Sequence, residues 1–262
     1  MVKIKQGVLS KSVSSFDFLG KYNLGPYENR NAPVVFFGCY AHTPQMKDFI
    51  RIMKHRGLAI VVWCGSDAWL IPKQRLRQMK FRQNIKHVAI GQYIEDDLIK
   101  AGVRYVRLSL TPNTLTPKPC PLGDSIYVYL PSANRFQRDF YGGTYIDQLR
   151  RLMPKEKFII TKPHQYTKEQ VEAIYKRCYI GLRLTRHDGL PNTVTEMGAM
   201  GRMCIYNDRK VPNAIGWRNI YDVQQRVQEE KKFIGQTKVD IANAVCNFLK
   251  VPNDWLHTQF WK

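Results

Sequence analysis

The sequence predicts an α/β protein built from two doubly wound units, each with its own parallel sheet. Short apolar runs typical of strands alternate with helix-length segments, and this alternation occurs twice. A polar stretch with four prolines, residues 111–124, separates the two occurrences. Alternating strands and helices indicate parallel sheets. We therefore expect a first domain over residues 1–116, a second over 117–246, and a tail over 247–262 that packs back toward the first domain.

The first half shows four predicted strands, at residues 34–38, 58–63, 86–90 and 104–108. Apolar residues at helical spacing from Met46 to Met53 predict a helix, with Gly57 as its C-cap, and residues 94–101 predict a second, short helix. Residues 1–32 show no clear strand followed by a glycine-rich loop. A basic run over residues 73–86, if helical, presents Leu76, Met79 and Phe81 as its apolar contacts.

The second half repeats the pattern. Its predicted strands are residues 125–130, 157–160, 179–185 and 203–206. Its predicted helices lie near residues 144–153, 167–177, 193–200, 221–232 and 237–250. Thr167 followed by Gln170 has the spacing of a capping box, which predicts where one of these helices begins.

Residues 184–205 place two carboxylates, Asp188 and Glu196, eight positions apart across a turn that opens into a helix. A strand end, a glycine-containing loop and a helix N-terminus form an anion site, because backbone N–H groups and the helix dipole favour a group such as pyrophosphate. Glu196 can accept hydrogen bonds from a ribose diol, and Asp188 from sugar hydroxyls. The alternative is a helix-capping loop with incidental acids.

This segment resembles the retaining, family-four-like glycosyltransferases of the GT-B fold. The resemblance is carried by Asp188-Gly189-Leu190-Pro191-Asn192, Glu196 and the small residues Gly198, Ala199 and Gly201 before Arg202. It implies two Rossmann-like domains facing a cleft, the N-terminal one reduced here. It also implies that Glu196 grips the nucleotide ribose and Asp188 the donor sugar. Asp188 stands where the family usually has Glu, so its reach is one methylene shorter. The other expected donor-binding residues of this segment are His187, Gly189, Leu190, Asn192 and Thr193.

In the family, the loop after the first strand of the second domain carries a phosphate-binding Arg, and a Lys follows further on. The resemblance therefore points to Arg135 or Arg138 and to Lys162; for each, an exposed loop cation is the alternative. Arg135 and Asp188 are also the expected catalytic residues of this domain. In the first domain, Asp67 and His42 lie at predicted strand ends and are candidate catalytic residues that orient the acceptor.

The sequence contains no Asp-x-Asp, His-x-x-x-His or clustered cysteines, so we expect no metal. No cofactor is expected beyond a nucleotide-sugar co-substrate, with a UDP-sugar as the leading choice. The six cysteines are scattered and are expected to be reduced. Neither a signal peptide nor a membrane-spanning run is recognised, so a cytoplasmic location is expected, in the host cell if the protein is viral.

The formal net charge of +20 is the outlier of the composition, and both halves of the chain are basic. Such an excess attracts a polyanion. The expected nucleic-acid-binding residues are those of the basic run: Lys73, Arg75, Arg77, Lys80, Arg82 and Lys86. For any one such run, a solvated helix face is the alternative.

Three functions remain open. The leading one is sugar transfer to DNA that carries hydroxymethylated bases, by analogy with phage DNA glucosyltransferases. The second is transfer to an anionic lipid or a cell-envelope polysaccharide. The third is a non-catalytic nucleic-acid-binding module on a degenerate transferase fold.

Overall fold

A computed structural model describes residues 2–40, 46–131, 134–163 and 165–262. The chain forms two compact units. The first comprises Met1–Thr114, Asp188–Leu190 and Lys250–Lys262, and the second Leu115–His187 and Pro191–Leu249. Each unit contains one five-stranded sheet whose neighbouring strands are all parallel. The predicted α/β class with two parallel sheets is therefore confirmed.

The first sheet consists of β1 (Gln6–Leu9), β2 (Val34–Phe37), β3 (Ala59–Trp63), β4 (Ile85–Ala89) and β5 (Val106–Arg107), which lie side by side in chain order. Every residue of β2 and β3 is buried. Residues 1–32 nevertheless contain a strand, β1, which leads into the 3-10 turn Lys11–Val13 and not into a glycine-rich loop. The strand β1 escapes detection because it is short and begins with Gln6, whose amide nitrogen donates to the carbonyls of Asn29 and Ala32 at 2.6 and 3.1 Å.

The helices of the first unit are α1 (Phe18–Lys21), α2 (Lys47–Lys54), α3 (Ser66–Leu70), α4 (Lys73–Lys80) and α5 (Gln92–Lys100), with 3-10 turns at Lys11–Val13 and Thr258–Trp261. The basic run is thus helical only to Lys80. Leu76 and Met79 are buried as predicted, but Phe81 is 78% exposed because the helix ends before it. The prediction that Phe81 makes an apolar contact was wrong.

The C-terminal segment Lys250–Lys262 belongs to the first unit. The Ile4 N–H donates to the carbonyl of Leu256 at 2.7 Å. The ring of Trp255 meets the ring of Tyr22 edge-on, with centroids 5.1 Å apart. Trp255 and Trp261, which are 2% and 5% exposed, are therefore packing residues of the first unit.

The second sheet contains β6 (Ser125–Tyr129), β7 (Lys157–Thr161), β8 (Cys178–Leu182), β9 (Met203–Ile205) and β10 (Ala214–Ile215). Their spatial order is β10-β9-β8-β6-β7, so the chain starts inside the sheet, moves to one edge and then reverses. The two-residue strand β10 is too short to have been predicted. The reversal creates a topological switch point between β6 and β8, where open α/β sheets bind ligands.

The helices of the second unit are α6 (Arg135–Phe140), α7 (Gly143–Leu152), α8 (Lys168–Lys176), α9 (Asn192–Ala199), α10 (Ile220–Lys231) and α11 (Val239–Phe248). The predicted capping box of α8 is confirmed, since Thr167 and Gln170 exchange both hydrogen bonds. The proline-rich stretch lies along this unit: the Lys118 N–H donates to the carbonyl of Ala199 and that of Leu122 to the carbonyl of Gln236.

All six cysteines are free thiols. Among the residues that the structure describes, no helix has both the length and the apolar character needed to cross a bilayer.

One buried histidine of the first sheet makes the stability of the protein depend on pH. His87 is 5% exposed, and its Nδ1 lies 3.2 Å from the indole Nε1 of Trp63. Burial lowers the pKa of His87 to about 4. The unfolded chain binds this proton near pH 6.5 and the folded chain does not, so the stabilisation is present above pH 6.5 and is lost as the pH falls toward 4.

We expect the free energy of unfolding to fall between pH 7 and pH 4.5 by about 2 kcal/mol more in the wild type than in His87→Gln. Glutamine retains an acceptor for Trp63 but does not titrate. Urea unfolding of both proteins at the two pH values measures the difference, and carboxylates and the other histidines cancel in it. Parallel losses in the two proteins would show that His87 is not responsible.

Candidate functional site

The predicted motif lies at the switch point of the second sheet. The central strands β6 and β8 end there, and the segment after β8 leads through residues 183–191 into α9. In α9, the N–H groups of Val194 and Thr195 donate to the carbonyl of Pro191. The N–H groups that precede them have no acceptor within the helix, which is the property that makes a helix N-terminus an anion site.

The small residues after Glu196 hold α9 in place. Gly201 has φ +85°, and its N–H donates to Gly198 while that of Arg202 donates to Met197, which together form a Schellman ending. A Cβ at Gly198 would lie 2.7 Å from the side chain of Asn213, so the helix packs too closely there for any larger residue. These residues of the sequence motif therefore position the helix.

Arg202 is fully buried, and its guanidinium donates only to backbone carbonyls. Two acceptors, Tyr175 and Lys176, lie at the C-terminus of α8, where the helix dipole favours a cation. Cys120 and Pro121 of the proline-rich stretch are also acceptors, at 3.0 and 2.7 Å. Arg202 therefore ties three segments of the second unit together.

The carboxylate of Glu196 is held by a buried tyrosine. The Tyr175 hydroxyl donates to Oε2 of Glu196 at 3.1 Å, and Tyr175 is only 3% exposed. Burial, and then the neighbouring Tyr127 and Glu196, raise the pKa of Tyr175 well above its usual value, so the phenol stays a neutral donor. Glu196 itself is partly exposed, and the hydrogen bond from Tyr175 orients its carboxylate.

The tyrosine support continues into the sheet. The rings of Tyr127 and Tyr175 meet edge-on with centroids 4.9 Å apart, and the Tyr127 hydroxyl lies 2.7 Å from Oγ1 of Thr161. These residues come from β6, α8 and β7. Sequence analysis missed them because each looks like an ordinary core residue within its own element.

We expect Tyr175→Phe to weaken binding of UDP about three- to tenfold, because a neutral hydrogen bond contributes about 0.5–1.5 kcal/mol and its loss frees the Glu196 carboxylate to rotate. Isothermal titration measures the affinity. Tyr179→Phe is the control, since Tyr179 is another buried tyrosine, hydrogen-bonded to Glu156 at 3.3 Å. An unchanged affinity in Tyr175→Phe would mean that Glu196 is positioned without the tyrosine.

The predicted phosphate-binding cations differ in availability. Arg138 donates to both carboxylate oxygens of Asp147, at 2.6 and 2.7 Å. Arg135 is the first residue of α6 and is exposed, and it has no ion-pair partner in the part of the chain that the structure describes. Lys162 follows β7 and is also exposed.

Arg183 is a further cation at this position that the sequence analysis missed. It directly follows β8, is 8% exposed, and its guanidinium lies 5.1 and 4.6 Å from the ring centroids of Tyr129 and Tyr141. Cation–π contacts of this kind hold an arginine in a fixed orientation. The predicted strand 179–185 includes Arg183, and an arginine within an apolar strand was the available signal.

The loop before α9 is ordered by local hydrogen bonds. The Thr185 hydroxyl donates to the carbonyl of His187 at 2.9 Å, and Oδ1 of Asp188 accepts from the N–H of Gly189 at 2.9 Å. Gly189 is a member of the first unit, where a Cβ would lie 2.4 Å from the carbonyl oxygen of Cys64. Leu190 is buried, whereas Asn192 and Thr193 at the start of α9 are partly exposed.

Asp67 braces the backbone of the first unit, and the catalytic role expected from the sequence stays a prediction. Asp67 is fully buried, and its carboxylate accepts from the backbone N–H groups of Cys39, Cys64 and Gly65 at 2.8–3.2 Å. It therefore connects the loop after β3 to the segment that follows β2. His42 lies outside the described residues.

The cations of the basic run differ in exposure and in their contacts. Lys73, Arg77 and Lys80 are exposed on α4. Arg75 lies 5.7 Å from the ring centroid of Phe49, and Arg82 donates to the carbonyl of His55 at 3.2 Å. Lys86 is half-buried in β4. Within the described ranges, no three His, Cys, Asp or Glu side chains are grouped so as to hold a metal ion.

No family model and no curated protein sequence matches this chain. Solved structures, in contrast, match this chain. A crystal structure of TarM aligns with a TM-score of 0.52 and 11% identity over 93% of this chain and 55% of TarM. A mutant of S. aureus TarM in complex with fondaparinux, alpha-GlcNAc-glycerol and UDP aligns with a TM-score of 0.53 and 10% identity over 88% of this chain and 52% of that one.

The third match is sucrose-phosphate synthase from Thermosynechococcus elongatus, with a TM-score of 0.52 and 9% identity over 88% of this chain and 70% of that one. The chain has the GT-B glycosyltransferase fold. The fold implied by the motif at residues 188–202 is thereby confirmed. This GT-B chain spans about half the length of the TarM structures it matches.

Proposed function

We propose that this chain is a retaining, metal-independent glycosyltransferase that moves a sugar from a UDP-sugar to a polyanionic acceptor. The observation that carries the proposal is the partly exposed carboxylate of Glu196, held by buried Tyr175 on a helix that starts at the switch point of the second sheet. The GT-B fold supports the reaction class, and the UDP in one of the similar structures supports the donor.

Each part of the donor has a proposed partner. Glu196 accepts hydrogen bonds from the ribose diol, as a charged acceptor strengthens such bonds. The N-terminus of α9, with Arg135 and Lys162, neutralises the diphosphate, which must leave when the glycosidic bond breaks. Arg135 is favoured over Arg138 because the Arg138 charge is already paired with Asp147. Asp188 takes the sugar hydroxyls, as the resemblance implies, and His187 beside it hydrogen-bonds a further sugar hydroxyl.

The net charge of +20 supports a polyanionic acceptor, and hydroxymethylated DNA is the leading one. An anionic cell-envelope polysaccharide is the second candidate. It is favoured by the alpha-GlcNAc-glycerol that one of the similar structures contains together with UDP.

A product-mass experiment tests the reaction and separates the acceptors. The full chain is incubated with UDP-sugars and with hydroxymethylated DNA, plain DNA or glycerol-phosphate polymer, and each product is weighed. A mass gain of one hexose on hydroxymethylated DNA alone supports the leading acceptor. A mass gain on the glycerol-phosphate polymer alone supports the cell-envelope polysaccharide as the acceptor. No UDP binding and no mass gain on any acceptor would reject the transferase.

A further inference from the structure

The first unit contains a basic cavity away from the carboxyl ends of its strands. Its volume is about 670 Å³, within the usual range for ligand sites. It is lined by the start of β4 at Ile85, the end of α4 at Lys80, the residues that lead into β5, and the C-terminal residues Phe260–Lys262. Ligands of open α/β sheets lie at the opposite, carboxyl end of the strands, so this cavity is not the sheet's ordinary ligand site.

The charged side chains that line this cavity are all of one sign. Its lining cations are Lys80, Arg82, Lys86, Arg104 and Lys262, and no Asp or Glu is among the lining residues. In the described part of the chain, none of the five forms an ion pair with a carboxylate. Two acids lie near the lining residue Tyr105: Glu95, which hydrogen-bonds it and is paired with Arg107, and Asp96, which is not a lining residue. The charge of the cavity is therefore not neutralised from within.

A buried polar atom also lacks a partner in this cavity. His87 lines it, is 5% exposed, and its Nε2 has no hydrogen-bond partner among the described residues. A buried ring nitrogen without a partner is costly, and a ligand or water in the cavity would satisfy it.

Aromatic side chains accompany the cations. Tyr105 and Phe260 line the cavity and are half-buried, and Phe81, between the lining residues Lys80 and Arg82, is 78% exposed. A simple phosphate polymer needs only the cations. Aromatic faces beside a cationic groove are what proteins use to bind single strands, because bases stack on the rings while phosphates meet the cations.

We infer that this cavity binds a single-stranded nucleic acid segment, with its phosphates on the cations and a base on Phe81. The cavity stands on its own geometry, but it deepens the proposed function by assigning a holding site for a nucleic-acid acceptor. Arg104 and Lys262 belong to this site although they are remote in sequence from the basic run that ends at Lys86.

Fluorescence anisotropy with labelled oligothymidylate tests the inference. The double variant Lys80→Gln/Arg104→Gln is compared with Lys11→Gln/Lys168→Gln, which removes the same charge from exposed residues outside the cavity and outside the basic run. We expect at least a tenfold loss of affinity in the cavity variant and less than threefold in the control. The slope of log affinity against log salt should fall by about 1.4 in the cavity variant.

A third variant addresses the bases. Phe81→Ala should weaken binding at least fivefold, and inorganic polyphosphate should compete less well than the oligonucleotide. Equal losses in the two charge variants, or no binding by the wild type, would overturn the inference. If Phe81→Ala had no effect and polyphosphate competed as well as the oligonucleotide, the ligand would be a simple phosphate polymer. That result would overturn the assignment of a nucleic acid. UDP-induced thermal stabilisation is measured in every variant, so a failure of donor binding is recorded separately.

Discussion

Glu196→Gln is expected to weaken binding of UDP by roughly 10- to 100-fold. A hydrogen bond to a charged group contributes about 1.5–3 kcal/mol, and the substitution removes the charge while keeping the shape. The Tyr175 hydroxyl can still donate to the glutamine carbonyl, so the fold should persist. At a UDP concentration about 100 times the wild-type Kd, ligand binding stabilises the protein by about 2.7 kcal/mol. A 30-fold weaker site reduces that to about 1 kcal/mol.

Thermal unfolding with and without UDP measures this change. Glu172→Gln is the matched control, because Glu172 forms only surface ion pairs with Lys118 and Lys176, at 3.5 and 3.6 Å. Its UDP shift should equal that of the wild type. An undiminished shift in Glu196→Gln would remove the central residue of the proposed donor site. Transfer activity, where detected, should fall with donor affinity or more steeply.

Arg202→Leu is expected to cost at least about 4 kcal/mol of the free energy of unfolding. The substitution leaves several buried carbonyls without a donor, each worth about 1–3 kcal/mol when unsatisfied, and leucine fills only part of the space. The cost should appear in the second unit, because the acceptors at α8 and in the proline-rich stretch both lie there.

Urea unfolding measures the loss, and Arg177→Leu serves as the control. Arg177 is exposed at the end of α8 and should change stability by less than about 0.5 kcal/mol. Arg202→Lys should fall between the two, because an ammonium retains the charge at the helix end but has fewer donors. A loss below about 1 kcal/mol in Arg202→Leu would mean that other groups or water satisfy the carbonyls.

Local sequence pattern was sufficient for most of the second unit. The capping box of α8, the buried central strand β8 and the turn into α9 each depend on neighbours within a few residues. Local sequence pattern did not predict the structure where contacts with residues far along the chain determine it. Strand β1 is held by pairing with β2, and the basic run ends its helix at Lys80 because the chain then enters the sheet as β4.

The residues of the candidate site also fall into those that the sequence predicts and those that only the structure explains. The Asp188 and Glu196 motif and the small residues after it can be recognised from the sequence, because they lie in one loop and one helix. The sequence places Asp67 at a predicted strand end, and only packing shows that three backbone N–H groups donate to its carboxylate. Arg138 looked free, and only the neighbouring helix α7 shows that Asp147 pairs with it.

The order of residues alone determined the α/β class, the two parallel sheets and the position of the acidic motif, because hydrophobic periodicity and turn chemistry act over short distances. Tertiary structure decided the reversal of strand order between β6 and β8, the tyrosine beneath Glu196 and the cavity that joins Lys80 with Arg104 and Lys262. Those features arise from contacts between segments far apart in the chain, and no local pattern specifies which distant segments will meet.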